Sequence, residues 1–213
     1  MNNNVFLTPN IPQYWENLYA EGKDTWSLGK ATPALLDFFE HPLCPKNGNV
    51  LVPLAGKGLD AEAWAIKGHK VLAVDFCPTA LDALEMMHGN DNLATLNRDV
   101  FLLSSQDENK GGEKFDIIYD YCAFNCVHIH RRDHYVETWL KMLKDDGLVV
   151  AFFYPLCKES NQSLSPFNAT DERELVARFS GLFNIEKRIV PKKSVKERVG
   201  KEEIWLLRKA RKT

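Results

Sequence analysis

The sequence has no long hydrophobic run and no recognisable export signal. No apolar stretch in its 213 residues approaches the roughly 18 residues that a membrane-spanning helix needs. The first residues, MNNNVFLTPN, contain neither the basic segment nor the apolar core of a signal peptide. We therefore expect a cytoplasmic protein with no membrane partner.

An excess of charge of one sign and paired cysteines are absent as well. The net charge of −2 and the pI near 6.3 give no basic footprint for nucleic acid. The five cysteines are odd in number and include no CxxC pair, which favours reduced thiols. The length and the 45% hydrophobic content suit one well-cored domain. Within that domain we expect an N-terminal arm and lid over residues 1–45 and a core over 46–210.

Two phosphate-binding signatures are missing from a stretch that otherwise has the pattern of a nucleotide-binding unit. The segment from Val50 to Asp75, VLVPLAGKGLDAEAWAIKGHKVLAVD, predicts a buried strand, a glycine turn, a helix and a second buried strand. Its turn, LAGKG, is neither GxGxxG nor a P-loop, which disfavours pyrophosphate. A ligand with a carboxylate and a ribose but no phosphate fits better, and S-adenosylmethionine answers that description.

The rest of the chain continues the alternation of strands and helices and then breaks it. Strands are predicted near residues 93–96, 115–121 and 148–154, with a turn and a polar loop between the first two and a helix over about 133–143 between the last two. Two further strand-like runs, FNIEKRIV and EEIWLLR, follow a helix and have no helix between them, so they should be antiparallel neighbours. This order resembles the Rossmann-like, seven-stranded α/β fold of S-adenosylmethionine-dependent methyltransferases more than it resembles a dehydrogenase.

Several residues are candidates for the ligand site. Asp75 lies about 20 residues beyond the turn, where such folds bind a ribose hydroxyl, although a helix cap is the simpler alternative. The position of Asp99 and Val100 after the third strand faces the adenine in this fold. Three large aromatics could cover a sulfonium cation, or could form the apolar stripe of a helix; they are Trp15, Tyr19 and Trp26.

Aromatic residues near strand ends are candidate walls for the methyl acceptor. Tyr121 and Phe124 follow the fourth strand, and Tyr154 ends the fifth, at the edge where ligands bind. Trp26 joins this predicted set. We treat all four as positioning residues and predict no covalent catalytic residue.

The segment CAFNCVHIHRRDH holds two cysteines and three histidines, which are Cys122, Cys126, His128, His130 and His134. Their spacing, C-x3-C-x-H-x-H, matches no structural zinc pattern. We therefore expect no metal and interpret them as residues of a loop and a helix start. A histidine that serves as a general base for a thiol acceptor stays an open alternative.

Taken together, the motifs resemble the thiopurine S-methyltransferase family. The stretch from Pro53 to Asp75 is similar to that family's PLCGKS-type turn, with Ala55 in place of its cysteine and Asp75 in place of its glutamate. The segment YWENLYAEGKDTWSLGKATPALL is closer to the thiol and halide methyltransferase branch. The resemblance implies cofactor contacts from nine residues: Trp15, Tyr19, Trp26, Leu54, Gly56, Asp75, Asp99, Val100 and Tyr121.

We therefore predict a monomeric enzyme that transfers a methyl group from S-adenosylmethionine to a small soft nucleophile. Thiols, thiopurines, halides and related sulfur, selenium or metalloid species belong to this class of acceptor. The alternatives are an NAD-dependent oxidoreductase that uses the same turn and Asp75, and an S-adenosylmethionine-binding protein without catalysis. The segment from Cys122 to His130 is unlike either branch of the family, so the acceptor is left open.

Overall fold

A computed structural model describes residues 11–87, 89–103, 114–156, 163–164 and 167–211. Residues 1–10 of the predicted N-terminal arm and lid lie outside these ranges. No helix among the described residues is both long and apolar enough to cross a membrane.

Seven α-helices occur in the described part of the chain. They are α1 (Pro12–Ala20), α2 (Pro33–Phe39), α3 (Leu59–Ile66), α4 (Pro78–Met87), α5 (Ala123–Cys126), α6 (Arg132–Met142) and α7 (Glu172–Phe179). Proline occupies the first turn of α1 and of α2, where its missing N–H is not needed by the helix. Two single turns of 3-10 helix cover Val100–Leu102 and Ile129–Arg131.

The strands form one seven-stranded sheet and a small hairpin. The strands are β1 (Asn49–Pro53), β2 (Lys70–Asp75), β3 (Leu93–Asn97), β4 (Phe115–Tyr121), β5 (Leu143–Phe153), β6 (Ser163–Leu164), β7 (Phe167–Asn168), β8 (Phe183–Ile189) and β9 (Glu203–Lys209). The sheet order is β3-β2-β1-β4-β5-β9-β8, and β6 pairs with β7. All pairings among β1 to β5 are parallel, whereas β9 is antiparallel to both of its neighbours. The predicted Rossmann-like methyltransferase topology, with a reversed last strand, is confirmed.

Both faces of the sheet are buried, which explains why its central strands are continuous apolar runs. Alternate residues of each strand point to opposite faces. One face packs against α2, α3 and α4, and its centre is formed by Val50, Trp64 and Tyr119. The other face packs against α6 and α7 through residues such as Trp139 and Phe179.

Two local features differ from the predicted elements. The strand β5 begins at Leu143, earlier than the predicted start at Leu148, because Leu143 pairs with Phe115 across an irregular register. The short helix α5 was not predicted. It begins directly after Cys122, whose left-handed φ of 61° turns the chain sharply at the end of β4.

Candidate active site

A large cavity lies beyond the carboxyl ends of β1, β2 and β4. In open parallel sheets, ligands bind where the strand order reverses, and here that point lies between β1 and β4. Eight of the residues predicted to contact the cofactor line this cavity: Trp15, Tyr19, Trp26, Leu54, Gly56, Asp75, Val100 and Tyr121.

The glycine turn has a conformation that needs its glycines. Gly56 has φ of 54° and Gly58 has φ of 63°, a region that L side chains rarely adopt. A Cβ on Gly58 would stand 2.3 Å from the side chain of Leu84. The turn therefore combines left-handed backbone with close packing, and its amide groups lie beside the cavity.

Asp75 connects this turn to the end of β2. Its Oδ2 accepts a hydrogen bond from the Gly56 amide at 2.8 Å, and its Oδ1 accepts one from the Cys77 amide at 2.9 Å. Burial raises the pKa of this carboxyl, and the two backbone donors oppose the rise. A carboxylate can accept about four hydrogen bonds, so further lone pairs are available to a ribose diol.

Three aromatic rings from the N-terminal segment cover the cavity. Trp26 packs edge to face against Trp15 and Tyr19, with ring centroids 5.5 and 5.7 Å apart. The Tyr19 hydroxyl lies so close to the turn that a Cβ on Gly56 would stand 2.6 Å from it. Trp15 and Tyr19 are also the buried residues of α1. They therefore form the apolar stripe of this helix and line the cavity at the same time.

Asp99 has a local structural role. Its side chain accepts a hydrogen bond from the Phe101 amide at 3.0 Å and so caps the 3-10 turn that follows β3. Val100 and Phe101 line the cavity, but Asp99 does not. The guanidinium of Arg131 lies over the Phe101 ring, 3.6 Å from its centroid. This part of the cavity lining is thus formed by Val100, Phe101 and the stacked guanidinium of Arg131.

The cavity lining also contains a buried cation that is not among the predicted site residues. Arg198 is only 6% exposed and donates to the Tyr121 hydroxyl at 2.8 Å and to the Trp26 carbonyl at 3.0 Å. Tyr121 in turn donates to Glu202 at 2.9 Å. Among the described residues, Arg198 makes no direct ion pair with a carboxylate. Glu202, which shares the Tyr121 hydroxyl with it, and Asp60 interact with its charge without a direct bond to it.

Two of the predicted acceptor walls lie elsewhere. Phe124 is fully buried in the core behind the cavity, where its ring packs against Phe153 and Phe179. Tyr154 lies beside Arg198, at 5.4 Å from ring centroid to guanidinium, but it does not line the cavity. For Phe124, the left-handed turn at Cys122 starts the short helix α5, in which this side chain faces the core.

The cysteines and histidines that follow β4 do not assemble into a metal centre. Over the described ranges, no group of three or more His, Cys, Asp or Glu side chains could hold a metal ion. Cys122, Cys126 and His128 line the cavity, whereas His130 and His134 do not. Burial raises the pKa of both thiols well above its usual range, so they are protonated at neutral pH.

These groups fit S-adenosylmethionine. A buried carboxylate suits the ribose, apolar residues suit the adenine, and aromatic rings suit the sulfonium. The amides of Ala55, Gly56 and Gly58 are bonded within the fold, so the positive end of α3 that follows the turn is the part that suits the carboxylate of the methionine part. No phosphate-binding loop is needed for this molecule.

The sequence has relatives among known enzymes. A family model for thiopurine S-methyltransferase (TPMT) matches residues 11–210. The chain is 31% identical to a probable thiol methyltransferase 2 of Arabidopsis thaliana over 157 residues, which cover 72% of this chain and 67% of the relative. It is 28% identical to thiocyanate methyltransferase 1 of Brassica oleracea over 144 residues, which cover 67% of this chain and 62% of the relative. The match thus spans less than two thirds of the second relative.

A solved structure has the same fold. It is the 1,6-didemethyltoxoflavin-N1-methyltransferase of Burkholderia thailandensis with bound 1,6-didemethyltoxoflavin and S-adenosylhomocysteine. The TM-score is 0.72 at 18% identity, and the match covers 99% of this chain and 94% of that chain. The family model, which matches nearly the whole chain, and this common fold show that the chain belongs to the thiopurine S-methyltransferase family of S-adenosylmethionine-dependent methyltransferases.

Proposed function

We propose that the protein methylates a small, anionic, soft nucleophile, such as a thiolate, a thiocyanate-like ion or a halide. The observation that carries this proposal is the buried guanidinium of Arg198 in the lining of the cavity, where it bonds to Tyr121. The names of the plant relatives, a thiol and a thiocyanate methyltransferase, agree with an acceptor of this class. From the sequence we retain the expectations of a cytoplasmic location and a monomer.

The setting of Arg198 favours an anion over a neutral acceptor. Its two hydrogen bonds go to a tyrosine hydroxyl and to a backbone carbonyl, and among the described residues no carboxylate bonds to it directly, although Glu202 and Asp60 interact with it electrostatically. A second cation, Lys30, also lines the cavity. An anion that enters a partly desolvated site next to a guanidinium gains a charge-assisted hydrogen bond, which is about twice as strong as a neutral one.

The remaining residues would bind the cofactor and exclude water. Bound S-adenosylmethionine supplies a methyl group that its sulfonium activates toward direct displacement. Asp75 would orient the ribose, and the aromatic faces of Trp15 and Tyr19 would attract the cation by about 0.5–2 kcal/mol. Arg198 would hold the acceptor in line with the methyl group, and this positioning supplies most of the rate.

An acceptor that is already anionic has no proton to lose, so the reaction needs no general base. His128 accepts a long hydrogen bond from the His130 amide on Nδ1, so its proton lies on Nε2 when the ring is neutral. The two cavity thiols, Cys122 and Cys126, are protonated because of their raised pKa values, and a thiol competes poorly with a thiolate for the methyl group.

A panel of acceptors tests the proposal. The purified protein is incubated with S-adenosylmethionine and thiocyanate, iodide, hydrosulfide or an aromatic thiol, and release of S-adenosylhomocysteine is measured. We expect turnover with at least one anionic acceptor and none with alcohols of similar size. Tight cofactor binding without turnover on any acceptor would support a binding protein instead. Absorbance change with NAD would support an oxidoreductase.

A further inference from the structure

The loop between α1 and α2, residues 21–32, carries Trp26 over the cavity and is attached to the core at three places. We call it the lid loop. Asp24, near its start, forms a 2.7 Å ion pair with Lys57 of the glycine turn. The carbonyl of Trp26, in its middle, accepts from Arg198. Thr32, at its end, is bound to Asp60 at the start of α3.

The attachment at Asp60 is the most extensive of the three. Asp60 Oδ1 accepts from the Thr32 amide at 2.7 Å, and its Oδ2 accepts from the Thr32 hydroxyl at 3.0 Å. The Tyr119 hydroxyl donates to the same Oδ2 at 2.7 Å. Desolvation raises the pKa of Asp60, and these hydrogen bonds oppose the rise. One carboxylate thus joins the lid loop, the helix after the glycine turn and the central strand β4.

We propose that Asp60 is a positioning residue that holds the lid loop, and with it Trp26, in place over the bound cofactor. The inference rests on the proposed function, because it assumes that the cavity binds S-adenosylmethionine. Asp60 lies one turn of chain after Lys57, so both ends of the lid loop are fixed to the same short segment, the glycine turn and the start of α3. Movement of the lid loop at Thr32 would displace Trp26 from the rings of Trp15 and Tyr19.

The two hydroxyl donors to Oδ2 allow this role to be separated from general stabilisation. Thr32 and Tyr119 donate to the same oxygen, but Thr32 belongs to the lid loop and Tyr119 belongs to the buried sheet. Removal of either hydroxyl removes one hydrogen bond from the same carboxylate. Of these two hydroxyls, only that of Thr32 lies on the lid loop, and the Thr32 amide keeps its own bond to Oδ1 when either hydroxyl is removed.

The experiment compares Thr32→Val, Thr32→Ser, Tyr119→Phe and Asp60→Asn in the full chain. The dissociation constant of S-adenosylhomocysteine is measured by calorimetry, and the unfolding temperature is measured by a thermal melt. We expect Thr32→Val and Asp60→Asn to weaken binding by about fivefold to tenfold, the range expected for the net loss of one hydrogen bond. Tyr119→Phe should lower the unfolding temperature about as much as Thr32→Val does. It should change the dissociation constant of S-adenosylhomocysteine by less than about twofold. Thr32→Ser keeps the hydroxyl that donates to Asp60 and caps α2, so its dissociation constant should equal that of the wild type.

Equal effects of Thr32→Val and Tyr119→Phe on binding would overturn the inference, and so would a Thr32→Val variant that binds with wild-type affinity. The measurement needs no acceptor, so it separates the two proposals. If the wild-type chain binds S-adenosylhomocysteine but methylates nothing, the proposed reaction fails while the role of Asp60 is still decided. If the wild-type chain does not bind S-adenosylhomocysteine, both proposals are wrong.

Discussion

The hydroxyl of Tyr19 occupies the space that a side chain on Gly56 would need. A Cβ at Gly56 would stand 2.6 Å from that oxygen, closer than nonbonded atoms approach. Tyr19 belongs to the N-terminal helix and Gly56 to the turn after the first strand, so this contact brings the aromatic lid against the glycine turn. The fit between lid and turn depends on the absence of one methyl group.

Gly56→Ala should therefore push Tyr19, and the helix α1 that carries it, away from the glycine turn. We expect the dissociation constant of S-adenosylhomocysteine to rise by about tenfold or more, because both the clash and the left-handed φ of 54° oppose the bound geometry. Tyr19→Phe removes the oxygen that the new methyl group meets. The double variant should recover part of the affinity, and a double variant no better than Gly56→Ala would contradict the contact.

Asp75→Asn should weaken cofactor binding by about tenfold or more. Each carboxylate oxygen accepts from a different backbone amide, so an asparagine must place its NH2 group against the N–H of either Gly56 or Cys77. The matched variant is Asp99→Asn, since an asparagine can keep the single cap to the Phe101 amide. We expect it to change affinity by less than about threefold. Calorimetry with S-adenosylhomocysteine measures both, and similar losses would place Asp99 in the cofactor site.

Arg198→Met should raise the KM for an anionic acceptor by about 10- to 100-fold, because it removes a charged donor from a desolvated site. Arg198→Lys keeps the charge and should give an intermediate value. Lys196→Met removes the same charge from an exposed position two residues away and is the matched control. Equal effects of Arg198→Met and Lys196→Met on the KM would show that the acceptor responds only to the net positive charge of this region and not to a direct contact with Arg198. The dissociation constant of S-adenosylhomocysteine is measured in parallel, because Arg198 also contacts the Trp26 carbonyl.

The stability of the protein should depend on the ionisation of Asp120, which is fully buried behind the active site. Burial raises its pKa to about 7, although the Tyr135 hydroxyl and the Phe124 amide donate to it. An unfolded aspartate has a pKa of about 3.9. Between these two values the folded state binds more protons, so the free energy of unfolding falls as the pH rises from about 4 to 7.

Asp120→Asn mimics the protonated acid and removes this dependence. Relative to the wild type, the variant should gain stability as the pH rises, by up to about 4 kcal/mol near pH 8, and should show little difference near pH 4. Urea unfolding at several pH values measures the change. Tyr135→Phe removes a donor that favours the ionised form and should move the transition to higher pH. A pH-independent difference between wild type and Asp120→Asn would contradict the raised pKa.

The elements that carry the fold were predictable because their signals are local. Continuous apolar runs indicate strands with two buried faces, and the glycines at 56 and 58 indicate a left-handed turn. Asp75 is placed at the end of β2 by the alternation alone. The terminal strand pair was predictable for the same reason, since no helix separates β8 from β9.

The acceptor end depended on tertiary structure. In the sequence, Arg198 is one of several basic residues in a turn, and nothing local distinguishes it from Lys196. The insertion of β9 between β5 and β8 brings it to Tyr121, 77 residues earlier in the chain. Phe124 follows a strand, as a cavity wall would, but the left-handed turn at Cys122 sends it into the core.

The sequence by itself thus determined the succession of strands and helices along the chain, the glycine turn and the position of Asp75 at the end of β2, since each follows from a local pattern. Only the tertiary structure decided which side chains meet across the cavity. Asp60 with Thr32 and Arg198 with Tyr121 are pairs that chain folding brings together over 28 and 77 residues. Such contacts arise from how the layers pack, and no local spacing in the chain encodes them.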